Sequence, residues 1–355
     1  MFFDETINID GKLVGKNQPV FIIAESGVNH NGQLSMAKKM IEKAAKCGVD
    51  CVKFQTFNTD EFLIDNDSCY EYYQKGQKIS ENMFDMFKRL ELPLEWHEEL
   101  FDYCRKCGVI PITSVADKKI ADFVENIGAG AFKLSSEDFI NIPLLEHVAQ
   151  KTLPLILSTG MADEEEIDDV INLLVRYNKT DVTFLHCVSI YPTPDSEANL
   201  NRINALKMRT DALVGYSDHT EGIESAIAAT TIGACIIEKH FTLDKMMTGP
   251  DHSFSSDPIE LNNLVFGVRK IEKMMGCQSF VLSNLEIQMR RQFRRSIVAA
   301  KNLPEGHILK REDLLFKRPG SGLKPIYLCN VLGKKTSKKI SEGKQISYEM
   351  LNLDI

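Results

Sequence analysis

The feature that most constrains this chain is a repeat. Short, mainly apolar runs recur at residues 20–24, 50–55, 109–112, 131–134, 154–157, 182–186, 212–214 and 235–237, separated by segments of helical period at 35–46, 94–107, 118–127, 144–151, 164–177, 201–208, 222–232 and 259–275. Strands buried on both faces read as continuous apolar runs rather than as an alternation. A helix between successive strands lets them pair in parallel. About eight such units predict an α/β fold, a (β/α)8 TIM barrel. Before the repeat, residues 7–13 alternate around Asp10-Gly11, which predicts a hairpin able to plug one end of a barrel. Residues 58–81 have no clear period and are expected to form a long loop. After residue 276 the polar stretch to 295 breaks the alternation, and an apolar run restarts at 296–300. The expected division is a barrel with its hairpin over 1–280, a linker over 281–295 and a small module over 296–355, which needs outside support to be robustly stable.

In such a barrel the active site lies at the C-terminal ends of the strands. Read in order, those ends deliver Glu25, Lys53 with Gln55, Thr113 with Ser114, Lys133 with Ser135 and Ser136, Ser158 with Thr159, His186 with Ser189, Ser217 with His219, and Glu238 with His240. Two lysines among several hydroxyls predict an anionic, phosphate-like ligand. His219 and His240 end consecutive strands, so two imidazoles can converge on a divalent metal and leave positions open for water or substrate. Single residues have plainer readings: Ser114 and Ser189 as helix caps, Tyr191 as a loop anchor, His30 and His186 as satisfied structural histidines. Formal net charge is -8 with no long basic run, which excludes nucleic acid as an expected partner. No apolar run approaches the roughly 18 residues that span a bilayer, and the first five residues carry acids where a signal peptide has bases. Nine irregularly spaced cysteines suggest reduced thiols in a cytoplasm, with Cys104 and Cys107 read as a structural pair. Three classes remain open on this reading: an enzyme working on an anionic substrate, a metal-dependent hydrolase on the same barrel, or a non-catalytic carbohydrate-binding protein.

Several stretches together carry a resemblance. They are 24–32 (Ala24-Glu25-Ser26-Gly27-Val28-Asn29-His30-Asn31-Gly32), 52–56, 157–161, 186–194 with Tyr191-Pro192-Thr193-Pro194, 215–220, 238–242, 249–252 and 317–320. In order and spacing the chain resembles the sialic acid and legionaminic acid synthase family, and its tail resembles that family's antifreeze-like (SAF) domain. The resemblance implies condensation of phosphoenolpyruvate with an N-acetylmannosamine-type aldose, releasing phosphate. It implies a manganese-type divalent ion at His219 and His240, with magnesium or cobalt as alternatives. It implies a phosphoenolpyruvate pocket of Lys53, Ser114, Lys133, Ser136, Ser158, Ser189 and Ser217, and sugar contacts from Glu25, Gln55, Tyr191 and Asp251. It further implies a domain-swapped homodimer in which Arg318 reaches the other subunit's sugar. Glu25, Lys53, His219, His240 and Asp251 are the expected catalytic groups, with Glu238 a possible structural acid. The chain departs from the family pattern at Val115-Ala116, at Ser135-Ser136-Glu137-Asp138 and at Ser189, and these departures bear on which sugar is used.

Overall fold

A computed structural model describes residues 2–64, 67–74, 76–277 and 279–352. Eight parallel strands close into a barrel: Phe21–Gly27, Cys51–Thr56, Ile110–Val115, Phe132–Leu134, Leu155–Ser158, Val182–Cys187, Leu213–Asp218 and Ile236–His240. Each pairs with the next in the chain, and the eighth pairs with the first, so the expected TIM barrel is formed.

Period-two alternation along these strands sorts the core into two shells. Phe21, Ile23, Cys51, Ile112, Ala131, Ile156, Leu185 and Ile236 point inward, where Ile7, Ile9 and Val14 join them. Those last three belong to the hairpin Thr6–Ile9/Lys12–Gly15, which turns at Asp10 and Gly11, both at positive φ, and stoppers the barrel as expected. The intervening strand residues, such as Ile22, Ala24, Val52, Phe54, Phe132, Leu157 and Phe184, pack outward under the helices. An inward position near a strand's C-terminal end lies above this apolar plug and faces the open mouth.

The stretch expected to be a loop is different. Apart from 65, 66 and 75, which lie outside the described residues, 58–81 holds a helical turn, Thr59–Phe62, and an antiparallel hairpin, Cys69–Gln74 with Gln77–Asn82. The helix Met83–Leu90 follows. The hairpin was hidden because its outer face is polar, and its one buried side chain is Tyr72. Tyr72, Phe57, Met86, Leu90 and Val28 form a separate apolar cluster.

The chain divides into two compact units after Gly276. In the second, the polar stretch expected to be linker carries a helix, Asn284–Phe293, started by a reciprocal cap between Ser283 and Glu286. Beyond it, Ser296–Ala299 pairs with Leu314–Lys317 and Lys335–Thr336 with Leu351–Asn352, around Ile297, Leu303, Leu309, Val331, Ile340 and Ile346. No helix among the described residues is long and apolar enough to cross a membrane.

Candidate active site

The inward rule selects the site. One turn of the pleat above the core, the strands present Glu25, Lys53, Ser114, Lys133, Ser158, Cys187, Ser217 and Glu238, with His240 one step higher. Register brings them level: Glu25 lies opposite Lys53 and His240, Ser114 opposite Lys133, and Ser217 opposite both Cys187 and Glu238.

Both lysines are buried, and both are held by acids. Lys53 pairs with Glu25 and lies 3.8 Å from Glu238 Oε2, while Lys133 Nζ lies 3.9 Å from Glu238 Oε1. Lys133 also donates to Ser158 Oγ at 2.7 Å, and Ser217 donates to Glu238 Oε1 at 2.8 Å. Burial opposes ionisation of Glu238, but Lys133 and Lys53 outweigh it and hold the carboxyl below its usual range. Burial pushes Glu25 up to about 7 against the pull of Lys53, and pushes Asp251 up to about 6. Burial also draws Lys133 below its usual value.

Two glycines keep the floor open. A Cβ on Gly160 would stand 2.4 Å from Ser189 Oγ and 2.5 Å from Ser136 Oγ, so these hydroxyls converge over bare backbone. Ser136 Oγ accepts from Gly160 N–H at 3.1 Å, and Ser189 Oγ is buried without a hydrogen-bond partner among the described residues. A Cβ on Gly27 would meet Glu25 Oε1 at 3.1 Å and both Asp251 Oδ2 and Gln55 Nε2 at 3.6 Å, so three expected sugar contacts meet at one point.

The imidazoles of His219 and His240 have ring centroids 5.4 Å apart. His219 Nδ1 bonds the Val188 carbonyl at 2.8 Å, which leaves Nε2 as the free lone pair. His240 Nδ1 is buried without a hydrogen-bond partner among the described residues, 3.7 Å from Asp251 Oδ2, and burial keeps that ring neutral. Burial opposes protonation of His219 too, but the neighbouring Cys187 and the Val188 carbonyl hold that imidazole above its usual value; a cation would displace that proton, and two nitrogen donors beside a carboxylate fit the divalent ion that the resemblance implies. Among the described residues there is no group of three or more His, Cys, Asp or Glu side chains that could hold a metal, so the multi-ligand centre required by the hydrolase alternative has no counterpart there. Tyr191 closes this corner, its ring 4.2 Å from that of His219.

Above the floor opens a cavity of about 400 Å³, lined on one side by Gln55, Ser114, Ser136, Ser189, Tyr191 and Asp251. The other side is built by Phe62 and Tyr70 from the segment read as a loop together with Phe57 before it and Phe87 from the following helix, which pack ring against ring, with Met86, Val115 and Ala116 beside them. Glu137 and Asp138 also line it, and among its described lining residues there is no lysine or arginine.

Some expected rim residues turn away. Thr113 faces outward to Thr56, and His186 Nε2–H donates to Ala198 O at 2.8 Å while its ring stacks on Tyr216, a structural histidine as read. Arg318 lies in the second unit, where its guanidinium covers the Phe293 ring at 5.2 Å. Sequence reasoning missed Cys187, whose sulfur lies 3.8 Å from His219 Nδ1, and the aromatic wall. The inward alternation of 185 and 187 was the available signal for the cysteine. None marked the wall.

With this geometry in hand, comparison with known proteins is direct. Residues 40–279 match the NeuB family and residues 294–352 the SAF domain. The chain is 38% identical to the N,N'-diacetyllegionaminic acid synthase of Legionella pneumophila, over 94% of this chain and 95% of that one. It is 34% identical to the N-acetylneuraminate-9-phosphate synthase of Homo sapiens, over 96% and 95% of the two chains. A crystal structure of N-acetylneuraminic acid synthetase from Leptospira borgpetersenii in complex with citrate superposes with a TM-score of 0.73 at 33% identity, covering 81% of this chain and 97% of that one. The chain belongs to the NeuB family, as a phosphoenolpyruvate-condensing nonulosonic acid synthase whose barrel is followed by a SAF domain.

Proposed function

We propose that this synthase condenses phosphoenolpyruvate with an unphosphorylated N-acetylmannosamine-type aldose, and that its preferred sugar is the 2,4-diacetamido-2,4,6-trideoxy form. The observation that carries this choice is the cavity wall. An aromatic face suits a C6 methyl and acetamido methyl groups, each buried methyl contributing about 1 kcal/mol. The carboxylates of Glu137, Asp138 and Asp251, with no lysine or arginine among the described lining residues, disfavour a sugar phosphate.

In the mechanism we propose, Lys53 and Lys133 bind the phosphate and carboxylate of the enol phosphate, and Ser114, Ser136, Ser158, Ser189 and Ser217 donate hydrogen bonds to them. Both ammoniums are buried, so they would hold the enol phosphate away from bulk water beside the sugar. The open-chain sugar lies against Gln55, Tyr191, Asp251 and Glu25. His219 and His240 would hold a divalent cation, manganese by preference, which supplies Lewis-acid polarisation of the aldehyde carbonyl. Glu25, titrating near 7, is poised to give a proton to the aldehyde oxygen as the C–C bond forms. It can then take one from the water that adds to C2, and Asp251 is the second candidate. Cleavage of the C2–O bond releases phosphate and leaves the 2-keto acid. A domain-swapped homodimer would bring a second copy's Arg318 to the N-acetyl group. In support, residues 277–355 carry fifteen lysines and arginines against seven acids, in a chain of net charge -8.

The test is phosphate release from phosphoenolpyruvate with manganese and a sugar panel: N-acetylmannosamine, its 6-phosphate, and the diacetamido trideoxy sugar. The last should give the highest kcat/KM and the 6-phosphate almost none. No release with any of the three would count against the whole reading; a preference for the phosphate would remove the sugar assignment alone.

A further inference from the structure

We propose that the buried ion pair between Asp218 and Lys239 is a positioning device that sets the spacing of His219 and His240, and with it the affinity of their cation site. This rests on the reading of those two histidines as ligands. Asp218 and Lys239 are partners in register across the seventh and eighth strands, and each immediately precedes one of the histidines. Both face outward, away from the substrate cavity. Their side chains are 0% and 2% exposed, with Nζ 2.8 Å from Oδ2.

Both partners are further hydrogen-bonded. Asp218 Oδ1 accepts from Thr220 N–H at 2.9 Å, Thr220 Oγ1 at 2.8 Å and Tyr216 OH at 3.2 Å, and Oδ2 accepts from Ser225 Oγ at 2.7 Å. Lys239 also donates to the Thr220 carbonyl. One residue back, on the inward face, Ser217 and Glu238 form a second link at the same register. The two strand ends are therefore tied on both faces directly before the imidazoles diverge from the sheet. Stability alone is a weak reason for such a pair, because apolar groups of similar volume often serve as well or better. A site with only two imidazole donors depends on a spacing fixed beforehand, since neither nitrogen can be replaced by a neighbour when the strands slip.

The experiment uses the full-length protein with Asp218→Asn and Lys239→Met combined, which leaves no unpaired buried charge. Manganese binding is measured by titration calorimetry without substrates, and phosphoenolpyruvate binding is measured without metal. The manganese dissociation constant should rise about 10- to 100-fold, while that for phosphoenolpyruvate, whose charges are held by Lys53 and Lys133 on the second and fourth strands with Ser217 a single hydroxyl donor among five, should change by no more than about threefold. Unchanged manganese affinity, or an equal loss of both ligands, would overturn the proposal. Should the double variant not fold, Ser225→Ala decides: it removes one donor to Asp218 without altering charge and should weaken manganese about threefold, with wild-type affinity counting as refutation. Because no turnover is measured, an enzyme inactive on every sugar would still answer the question. A wild-type protein that binds no manganese would remove the ligand reading itself, and the proposal with it.

Discussion

Replacing Glu238 by glutamine should move stability and substrate affinity in opposite directions. The carboxylate stands 3.8 Å from the Lys53 ammonium and 3.9 Å from that of Lys133, and all three groups are buried. At an effective dielectric constant of about 20, each contact amounts to roughly 4 kcal/mol before desolvation is counted. Glutamine keeps an oxygen to accept the Ser217 hydroxyl but leaves Lys133 without a counter-ion, since Glu25 is engaged with Lys53. Breaking one side of a buried pair costs about 3–5 kcal/mol, so the ligand-free variant should lose on the order of 3 kcal/mol. Phosphoenolpyruvate brings the missing negative charge and no longer meets a carboxylate, so it should bind at least about tenfold tighter, or ~1.4 kcal/mol. Urea unfolding with and without phosphoenolpyruvate reads both quantities. Weaker phosphoenolpyruvate binding by the variant, or unchanged stability without ligand, would refute the view of Glu238 as a stand-in for substrate charge.

Other outcomes are as specific. His219→Ala and His240→Ala should each remove measurable turnover while circular dichroism and melting stay near wild type; substantial activity in both would remove the metal assignment. Phe87→Ala should cut the kcat/KM preference for a 6-deoxy over a 6-hydroxy sugar by about tenfold, with the KM for phosphoenolpyruvate unchanged; equal losses for both sugars would contradict the aromatic subsite. Burial lowers His30, His97 and His252 to about 4. Unfolded histidine titrates near ~6.5, so the unfolded state takes up more protons between those values. The contribution is full above about 6.5 and is lost as pH falls toward 4, roughly 3 kcal/mol for each histidine; urea stability that is flat from pH 7 to 4.5 would contradict it. Asp313 accepts from His307 and from Lys310 N–H and pairs with Lys301 at 2.8 Å, which holds its carboxyl below the usual range although burial opposes this. That stabilisation is present above the unfolded carboxylate value and disappears as pH falls through the folded one. Asp313→Asn should therefore speed hydrogen exchange in 296–352 at neutral pH and leave the barrel amides unchanged.

The barrel was legible because eight buried strands have no polar face to disguise them, and the hairpin because Asp10-Gly11 turns so few other ways. The rim was legible for the same reason: Lys53, Lys133 and Glu238 are charges set in apolar runs, where a charge without a purpose is expensive. Which rim side chains look inward was not read from composition. Thr113 and His186 were taken for rim groups, although one position either way reverses the face. The hairpin at 69–82 escaped because its tyrosines are interleaved with glutamate and lysine, the pattern of a solvated edge. Its contribution to the cavity depends on Tyr70 meeting Phe87, which in turn meets Phe57 across the fold, and no local pattern records this. The helix Asn284–Phe293 escaped because Leu285, Ile287, Met289 and Phe293 are interspersed with polar residues, none of its side chains is buried, and its start rests on one cap. The Asp218–Lys239 pair sat in plain view as two motif residues, and only the register made them partners.

The most direct test of the central claim is an anomalous diffraction map from crystals soaked with manganese and phosphoenolpyruvate. The account predicts one manganese peak between the imidazoles of His219 and His240, with the enol phosphate on Lys53 and Lys133 over the Gly160 floor. A metal bound elsewhere, or a substrate that leaves both lysines to Glu25 and Glu238, would contradict it.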